Sequence, residues 1–128
     1  MVENILEVME QDKFAKYVGI KIIEAGDGKA KGRLQADENH LNALGIVQGG
    51  AIFSLADTTL AAASNSREGT AVAANVSISY FKAAQQGILI ARAKEISLNR
   101  KLATYLVEVT DEQEDLIALF QGTVYRKE

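Results

Sequence analysis

Residues 45–66, GIVQGGAIFSLADTTLAAASNS, decide the fold. After Gly50 this stretch contains no glycine and few β-branched residues, and good helix formers fill its last turns. The pattern predicts one helix from Gly50 to about Ser66, with a length of about 25 Å at 1.5 Å per residue. Such a helix is long for a chain of 128 residues, and its mostly apolar surface predicts that it is central and largely buried.

Strand patterns lie on both sides of this helix. Runs of alternating or apolar residues predict six strands, at Val18 to Ala25, Lys29 to Ala36, Val72 to Tyr80, Ile88 to Ser97, Ala103 to Thr110 and Leu116 to Tyr125. Gly26-Asp27-Gly28 predicts a hairpin turn between the first two. Because short turns join most of the strands, we predict an α+β fold in which a largely antiparallel sheet wraps around the central helix.

The N-terminal residues carry a helical pattern. Apolar residues recur at spacings of three and four, at Val2, Ile5, Leu6, Met9, Phe14, Tyr17 and Val18. This spacing predicts a short amphipathic helix or helix pair that ends at Gly19.

Length and composition restrict the classes of protein that this chain can be. Its 128 residues, 48% of them hydrophobic, fit a single globular domain over residues 1–128. The net charge is −3 and the 14 Lys and Arg are dispersed, so we expect no nucleic-acid partner. There is no apolar run long enough for a membrane span, no secretory signal and no cysteine, which together predict a cytoplasmic protein without disulfides.

Asp57 is the strongest functional signal. Between Glu38 and Arg67 it is the only formally charged side chain, and its neighbours on the helix are apolar. A carboxylate on a buried helix loses hydration, which raises its pKa, and such groups concentrate at functional sites. The alternative is a structural aspartate bonded to nearby Ser, Thr or backbone groups.

Gly49 and Gly50 supply a second element. The first N–H groups of a helix have no partner within it, so they can hold a carbonyl oxygen that becomes an oxyanion. The alternative is that the two glycines only make a sharp loop. Gly49 and Asp57 are eight residues apart, or about 12 Å along one helix, too far to act on one carbonyl carbon. Two copies with antiparallel helices would complete two equivalent sites, so the mechanism predicts a dimer.

A carboxylate and an oxyanion hole are suited to hydrolysing an ester with a good leaving group. A thiol has a pKa of about 8.5, so a thiolate can leave without a strong general acid. The sequence lacks the motifs of other catalytic and binding sites: there is no Cys-His pair, no HExxH zinc motif, no GxSxG elbow and no glycine-rich phosphate loop. We therefore predict no metal site, and the lone His40 is expected to have a structural or rim position in a loop.

These residues resemble the phenylacetic-acid-degradation (PaaI-like) type of hotdog-fold acyl-CoA thioesterase. The pattern of that family is approximately NxxGxxHGGxxxxLAD. It stands here as Asn42, Gly45, Gln48-Gly49-Gly50 and Leu55-Ala56-Asp57. The strands ANVSISYFK, NRKLATYLVEV and ALFQGTVYR also fall where the family places them. The resemblance therefore extends over most of the chain and implies the hotdog fold.

The resemblance implies roles for the motif residues. Asp57 would be the catalytic carboxylate, as nucleophile or general base, the Gly49 amide would polarise the thioester carbonyl, and Asn42 would orient substrate or water. Gln48 replaces the family histidine, so this position can form hydrogen bonds but cannot titrate near neutral pH. Gly50 is assigned to substrate binding at the helix start.

The resemblance also implies partners. Family members form dimers, commonly paired into tetramers, with CoA across a subunit interface. CoA is then part of the substrate and there is no separate cofactor. Lys82, Arg100 and Lys101 lie where the family binds the CoA phosphates, with an ordinary solvated surface as the alternative.

Two other functions are open at this point, and so is the acyl group. The chain could bind acyl-CoA without turnover, or it could be a hotdog dehydratase or hydratase, which needs an acid-base pair of His and carboxylate. Only His40 could serve in such a pair. The candidates for the acyl pocket are Leu44, Phe53, Leu60 and Phe81, and core packing is the alternative for each.

Overall fold

The computed structural model describes residues 4–127. Val2, the first apolar position of the N-terminal helical pattern, lies outside the described residues. The helices are α1 Ile5–Met9, α2 Lys13–Val18 and α3 Gly49–Ser64, with a 3₁₀ turn at Glu38–His40. The strands are β1 Ile20–Gly26, β2 Lys29–Ala36, β3 Thr70–Tyr80, β4 Gly87–Leu98, β5 Leu102–Thr110 and β6 Leu116–Lys127.

The N-terminal pattern folds as a helix pair. Asn4 and Asp12 cap α1 and α2 with their side chains, and Gly19 ends α2 in the left-handed region at φ 100°. Val18 is therefore the last residue of α2, and the first strand begins at Ile20 instead of Val18. The predicted apolar face of α2 is wrong in one respect, because the structure buries Ala15 and leaves Phe14 and Tyr17 exposed.

The strands form one sheet in the order β1-β2-β4-β5-β6-β3. Every neighbouring pair is antiparallel, as predicted. Asp27 and Gly28 both have positive φ, which makes the predicted tight hairpin turn between β1 and β2. The α+β architecture with a central helix is confirmed.

Helix α3 is the centre of the core. Its buried residues are Ile52, Leu55, Ala56, Thr58, Thr59, Leu60, Ala62, Ala63 and Ser64. The sheet approaches so closely that a Cβ on Gly32 would lie 2.3 Å from the Thr59 hydroxyl oxygen. The helix ends at Ser64, two residues before the predicted end. Asn65 caps it there, and the Asn65 amide nitrogen donates to the carbonyls of Ala61 and Ala71.

The two edges of the sheet differ in how they are protected. β1 carries Lys21 and Glu24 and packs against α1 and α2. β3 lies at the other edge, has the sequence TAVAANVSISY without a charged residue, and within residues 4–127 has no strand beside its outer side. In the described part of the chain, every helix is too short or too polar to cross a bilayer.

Candidate active site

Backbone hydrogen bonds hold the loop that leads into α3. The Val47 N–H donates to the Ala84 carbonyl at 2.9 Å, and the Gln48 N–H donates to the His40 carbonyl at 2.8 Å. Gln48 is the N-cap of α3, but its exposed side chain makes no capping hydrogen bond. The loop therefore holds the backbone of the helix start while the Gln48 carboxamide stays available.

Gly49 and Gly50 are the first two residues of α3. Across residues 4–127, neither of their N–H groups has a hydrogen-bond acceptor. Unpaired N–H groups at a helix start carry the positive end of the helix dipole, so they bind a carbonyl oxygen as it gains negative charge. Both predicted donors are free in the described structure.

Tyr80 fixes this helix start from the end of β3. Its hydroxyl donates to the Gly49 carbonyl at 2.9 Å, and a Cβ on Gly49 would lie 3.2 Å from the Tyr80 ring. Burial raises the pKa of the Tyr80 hydroxyl, which keeps it protonated as a donor. Local sequence patterns predict Tyr80 only as the end of a strand and not this contact, because the two residues are 31 positions apart.

Asn42 shapes the loop before the helix. Its side-chain oxygen accepts hydrogen bonds from the N–H groups of Leu44 at 2.9 Å and Ile46 at 3.3 Å. The oxygen is thus committed to the loop, and the amide nitrogen is the part that could reach substrate or water. The predicted orienting role of Asn42 stays a prediction.

Both ring nitrogens of His40 have structural partners. The Asp37 N–H donates to Nδ1 at 3.0 Å, so Nε2 carries the proton and donates to the Val18 carbonyl at 2.5 Å. His40 joins the 3₁₀ turn to the end of α2. An acid-base role would require breaking these two bonds.

Asp57 lies on the outward side of α3, half-buried. Within residues 4–127 its carboxylate accepts no hydrogen bond from a protein donor, in contrast to the structural alternative of a bonded aspartate. Burial raises the pKa of the Asp57 carboxyl above its ordinary value, and the negative charge of Asp12 raises it further. The carboxylate is therefore poorly solvated and more basic than an exposed one.

The Asp57→Asn variant is expected to be more stable than the wild type near neutral pH. The carboxyl has a higher pKa in the folded state than its ordinary 3.8, so the wild type loses stability as the pH rises from 3.8 through the folded pKa. Asparagine cannot ionise, so the variant does not lose stability as the pH rises through this range. After allowance for screening we expect a gain of at most about 1 kcal/mol, or about 4 °C in Tm. Thermal unfolding at neutral pH measures it.

The same comparison at about pH 3 supplies the control, because a protonated Asp57 and an asparagine are then both neutral and the two melting temperatures should coincide. A variant that is less stable than the wild type at neutral pH would contradict this account and favour a structural aspartate.

The predicted cations lie at two ends of the domain. Lys82 follows β3, near Gly49, and its ammonium pairs with Asp111 at 3.3 Å and also with Asp115. Arg100 and Lys101 occupy the exposed turn between β4 and β5, beside the start of β3. That end is opposite to Gly49 within one chain. Lys82 is thus already neutralised, and the phosphate-binding roles stay predictions.

A cleft of about 640 Å³ opens beside the start of α3. We name it the helix-start cleft. It is lined by Phe14, Tyr17, Val18, Asn39, His40, Leu41, Gln48, Gly50, Ala51 and Ser54. None of the four proposed acyl-pocket residues lines it. Phe53 and Leu60 belong to the core, with Phe53 edge-to-face on Phe120, and Leu44 and Phe81 are exposed.

Comparison with known proteins identifies relatives along nearly the whole chain. The thioesterase superfamily matches residues 44–118. A relative from Archaeoglobus fulgidus is 47% identical over 98% of this chain and 83% of its own length. Another, the acyl-coenzyme A thioesterase PaaI of Escherichia coli K12, is 33% identical over 97% of this chain and 89% of its own length.

Two solved structures match along most of the chain. The TT0310 protein of Thermus thermophilus has a TM-score of 0.87 and 41% identity, and the match covers 91% of this chain and 99% of that one. The E. coli PaaI protein from the phenylacetic acid degradation operon has a TM-score of 0.91 and 32% identity, with 95% and 89% covered. The hotdog fold is confirmed, and the chain belongs to the thioesterase superfamily as a PaaI-like thioester hydrolase.

Proposed function

We propose that this chain hydrolyses acyl-CoA to a free acid and CoA at a site shared by two subunits. The observation that carries the proposal is the pairing of two features on α3. A half-buried Asp57 with a raised pKa and the Gly49 N–H, which has no acceptor within residues 4–127, lie on one helix, eight residues apart. The E. coli relative named as an acyl-coenzyme A thioesterase supports CoA as the carrier of the acyl group.

In the proposed reaction the thioester carbonyl oxygen accepts a hydrogen bond from the Gly49 N–H. Asp57 then acts in one of two ways. As a nucleophile it attacks the carbonyl carbon, expels the CoA thiolate and leaves a mixed anhydride that water hydrolyses. As a general base it takes a proton from water, whose oxygen attacks the carbon and expels the same thiolate. Both routes yield the carboxylic acid and CoA.

The separation along α3 argues for a second copy. Eight residues of helix place Gly49 about 12 Å from Asp57, beyond the reach of one carbonyl group. Antiparallel α3 helices of two subunits would bring the Gly49 N–H of one toward Asp57 of the other. The outer edge of β3 has no neighbouring strand in the part of the chain that the structure describes, which supports this arrangement, since strand pairing across a twofold axis would satisfy its backbone groups.

The same arrangement bears on the cations. Arg100 and Lys101 lie at the end of the domain opposite to Gly49, so antiparallel packing would place them near the Gly49 end of the partner. There they could pair with CoA phosphates. Lys82 would first have to leave its two carboxylates. Gln48 is proposed to contact the thioester or water with its carboxamide, and Asn42 with its side-chain nitrogen. No cofactor besides the CoA of the substrate is proposed.

The activity test is thiol release from a panel of acyl-CoAs. Release that depends on Asp57 supports the proposal, whereas ligand binding without release would identify a module that only binds acyl-CoA. Hydration of an enoyl-CoA, followed by absorbance, tests the hydratase alternative, which the two structural bonds of His40 disfavour. From the family resemblance we also propose that dimers pair into tetramers. The lack of cysteine supports a proposed cytoplasmic location.

Mixing two inactive variants tests whether the site is shared. In an Asp57→Asn and Gly49→Pro heterodimer, one site combines both defects and the other has an intact Asp57 and an intact Gly49 N–H. After subunit exchange at equal amounts, random pairing should restore about a quarter of the wild-type activity. Activity is measured by thiol release before and after exchange through denaturation and refolding.

The control for the mixing experiment refolds each variant alone, which should restore nothing. If the mixture of exchanged subunits stays as inactive as its parents while native mass spectrometry shows mixed dimers, both groups act within one chain and the shared site is wrong.

A further inference from the structure

The aromatic face of α2 is bare where its helical spacing predicts burial. Phe14 is 62% exposed and Tyr17 is 89% exposed, while Ala15 on the other side of the helix is 3% exposed. The two rings are three residues apart, so they lie on the same face of the helix. Exposed apolar patches of this kind mark binding surfaces more often than single exposed residues do.

These two rings form one wall of the helix-start cleft. The opposite wall comes from the first turns of α3 and consists of Gln48, Gly50, Ala51 and Ser54. The cleft therefore runs along the first turns of α3, from Gln48 and Gly50 on either side of Gly49 to Ser54, one helical turn before Asp57. The Ser54 hydroxyl donates to the Gly50 carbonyl at 2.8 Å, so its proton does not point into the cleft.

Resting on the proposed thioesterase function, we propose that the helix-start cleft holds the acyl group and that Phe14 and Tyr17 select large apolar acyl groups over acetyl. A carbonyl bound at the Gly49 N–H would have one end of its acyl group beside this cleft. The volume of about 640 Å³ greatly exceeds what an acetyl group fills. Each further methylene buried there should improve affinity about fourfold.

A second cavity offers the main competing location. Its volume is about 410 Å³, and it lies between the N-terminal helices, β1 and Thr58 of α3. Among the described residues, the charged ones that line it are Glu10, Asp12, Lys16 and Lys21. By contrast, no Asp, Glu, Lys or Arg among residues 4–127 lines the helix-start cleft. Burying an apolar acyl group costs less free energy in the uncharged cleft, because no ion there has to give up its hydration.

The test compares acetyl-CoA, octanoyl-CoA and benzoyl-CoA with wild type and Tyr17→Ala. The ratio of kcat/KM for octanoyl-CoA to kcat/KM for acetyl-CoA should fall about tenfold, mainly through KM, and the benzoyl ratio should fall likewise. Tyr17→Phe keeps the ring and should retain the wild-type ratios. Tyr125→Ala removes a partly exposed tyrosine of β6 outside the cleft and should leave the ratios unchanged.

In this kinetic comparison, two outcomes would overturn the proposal. If Met9→Ala, in the charged cavity, changes the ratios while Phe14→Ala and Tyr17→Ala do not, the acyl group lies in that cavity. If Tyr17→Ala instead lowers kcat/KM equally for all three substrates and dissociates the protein, the rings are a subunit contact.

A binding measurement separates this inference from the proposed hydrolysis. Octyl-CoA, a thioether that cannot be hydrolysed, is titrated calorimetrically into wild type and Tyr17→Ala. The variant should bind about tenfold more weakly, whether or not the wild type releases thiols from thioesters. Equal affinities for the two proteins, or no binding to the wild type, would contradict the subsite even if hydrolysis is observed.

Discussion

Asp57→Asn should lower kcat for acyl-CoA hydrolysis by roughly 10² to 10⁴-fold, the usual contribution of a positioned acid-base group. Asparagine has nearly the same shape, but it can neither attack the carbonyl carbon nor take a proton from water. The substitution therefore removes the half-buried carboxylate with a raised pKa, which is the proposed reactive group. Thiol release under substrate saturation gives kcat, and octyl-CoA titration shows that the variant still binds.

The stability of the same variant distinguishes catalysis from structure. A residue that serves the fold should cost stability when it is replaced, whereas Asp57→Asn is expected to melt at a higher temperature near neutral pH. Asp27→Asn is a matched control. It removes a carboxylate from the β1–β2 turn, where Asp27 has a φ of 54° that asparagine tolerates equally well. This variant should change neither kcat nor the melting temperature. Wild-type turnover in Asp57→Asn would refute the catalytic assignment.

Gly49→Pro should lower kcat by roughly 10² to 10³-fold, the effect of removing one oxyanion donor. Proline takes away the N–H and suits this position, because Gly49 is the first residue of α3 and needs no intrahelical partner for its N–H. Gln48 precedes it with φ −60° and ψ 133°, a conformation that a following proline allows. The helix should therefore stay intact, which circular dichroism and Tm would show.

Gly49→Ala is the control for the added side-chain carbon. Its Cβ meets the Tyr80 ring at 3.2 Å just as the proline Cβ does, but the N–H is retained. The difference between the two variants isolates the hydrogen-bond donor. Equal losses in both would show that contact with Tyr80, and not the N–H, determines activity.

Much of this fold could be predicted from local sequence because its signals are local. The apolar stretch of α3, the glycines before it and the Gly26-Asp27-Gly28 turn each act over a few residues. Element ends were less predictable, since α3 stops two residues early through an Asn65 side chain that also binds Ala71. The placement of β4 between β2 and β5 depends on pairing that periodicity does not encode.

The candidate site likewise has features that local sequence predicts and features that it does not predict. Asp57 stood out because a charge interrupts an apolar helix, and the prediction of a second copy came from spacing alone. Other features depend on contacts between distant segments, such as Tyr80 on Gly49 and the carboxylates that neutralise Lys82. The exposure of Tyr17 was likewise unpredictable, because helical spacing shows which residues share a face but not whether anything covers it.

The outer edge of β3, which has no neighbouring strand within residues 4–127, would expose the unassembled chain to pairing with other chains. Within residues 4–127 most of its 11 residues have no strand partner on the outer side, although the backbone of Ala71 bonds to the Asn65 side chain. The strand contains neither proline nor a charged residue that would repel another strand. Proteins that leave such an edge open risk adding strands from other chains, as fibrils do. In the dimer that we propose, the partner strand would occupy this edge, so the assembly that completes the catalytic pair would also guard the chain against aggregation.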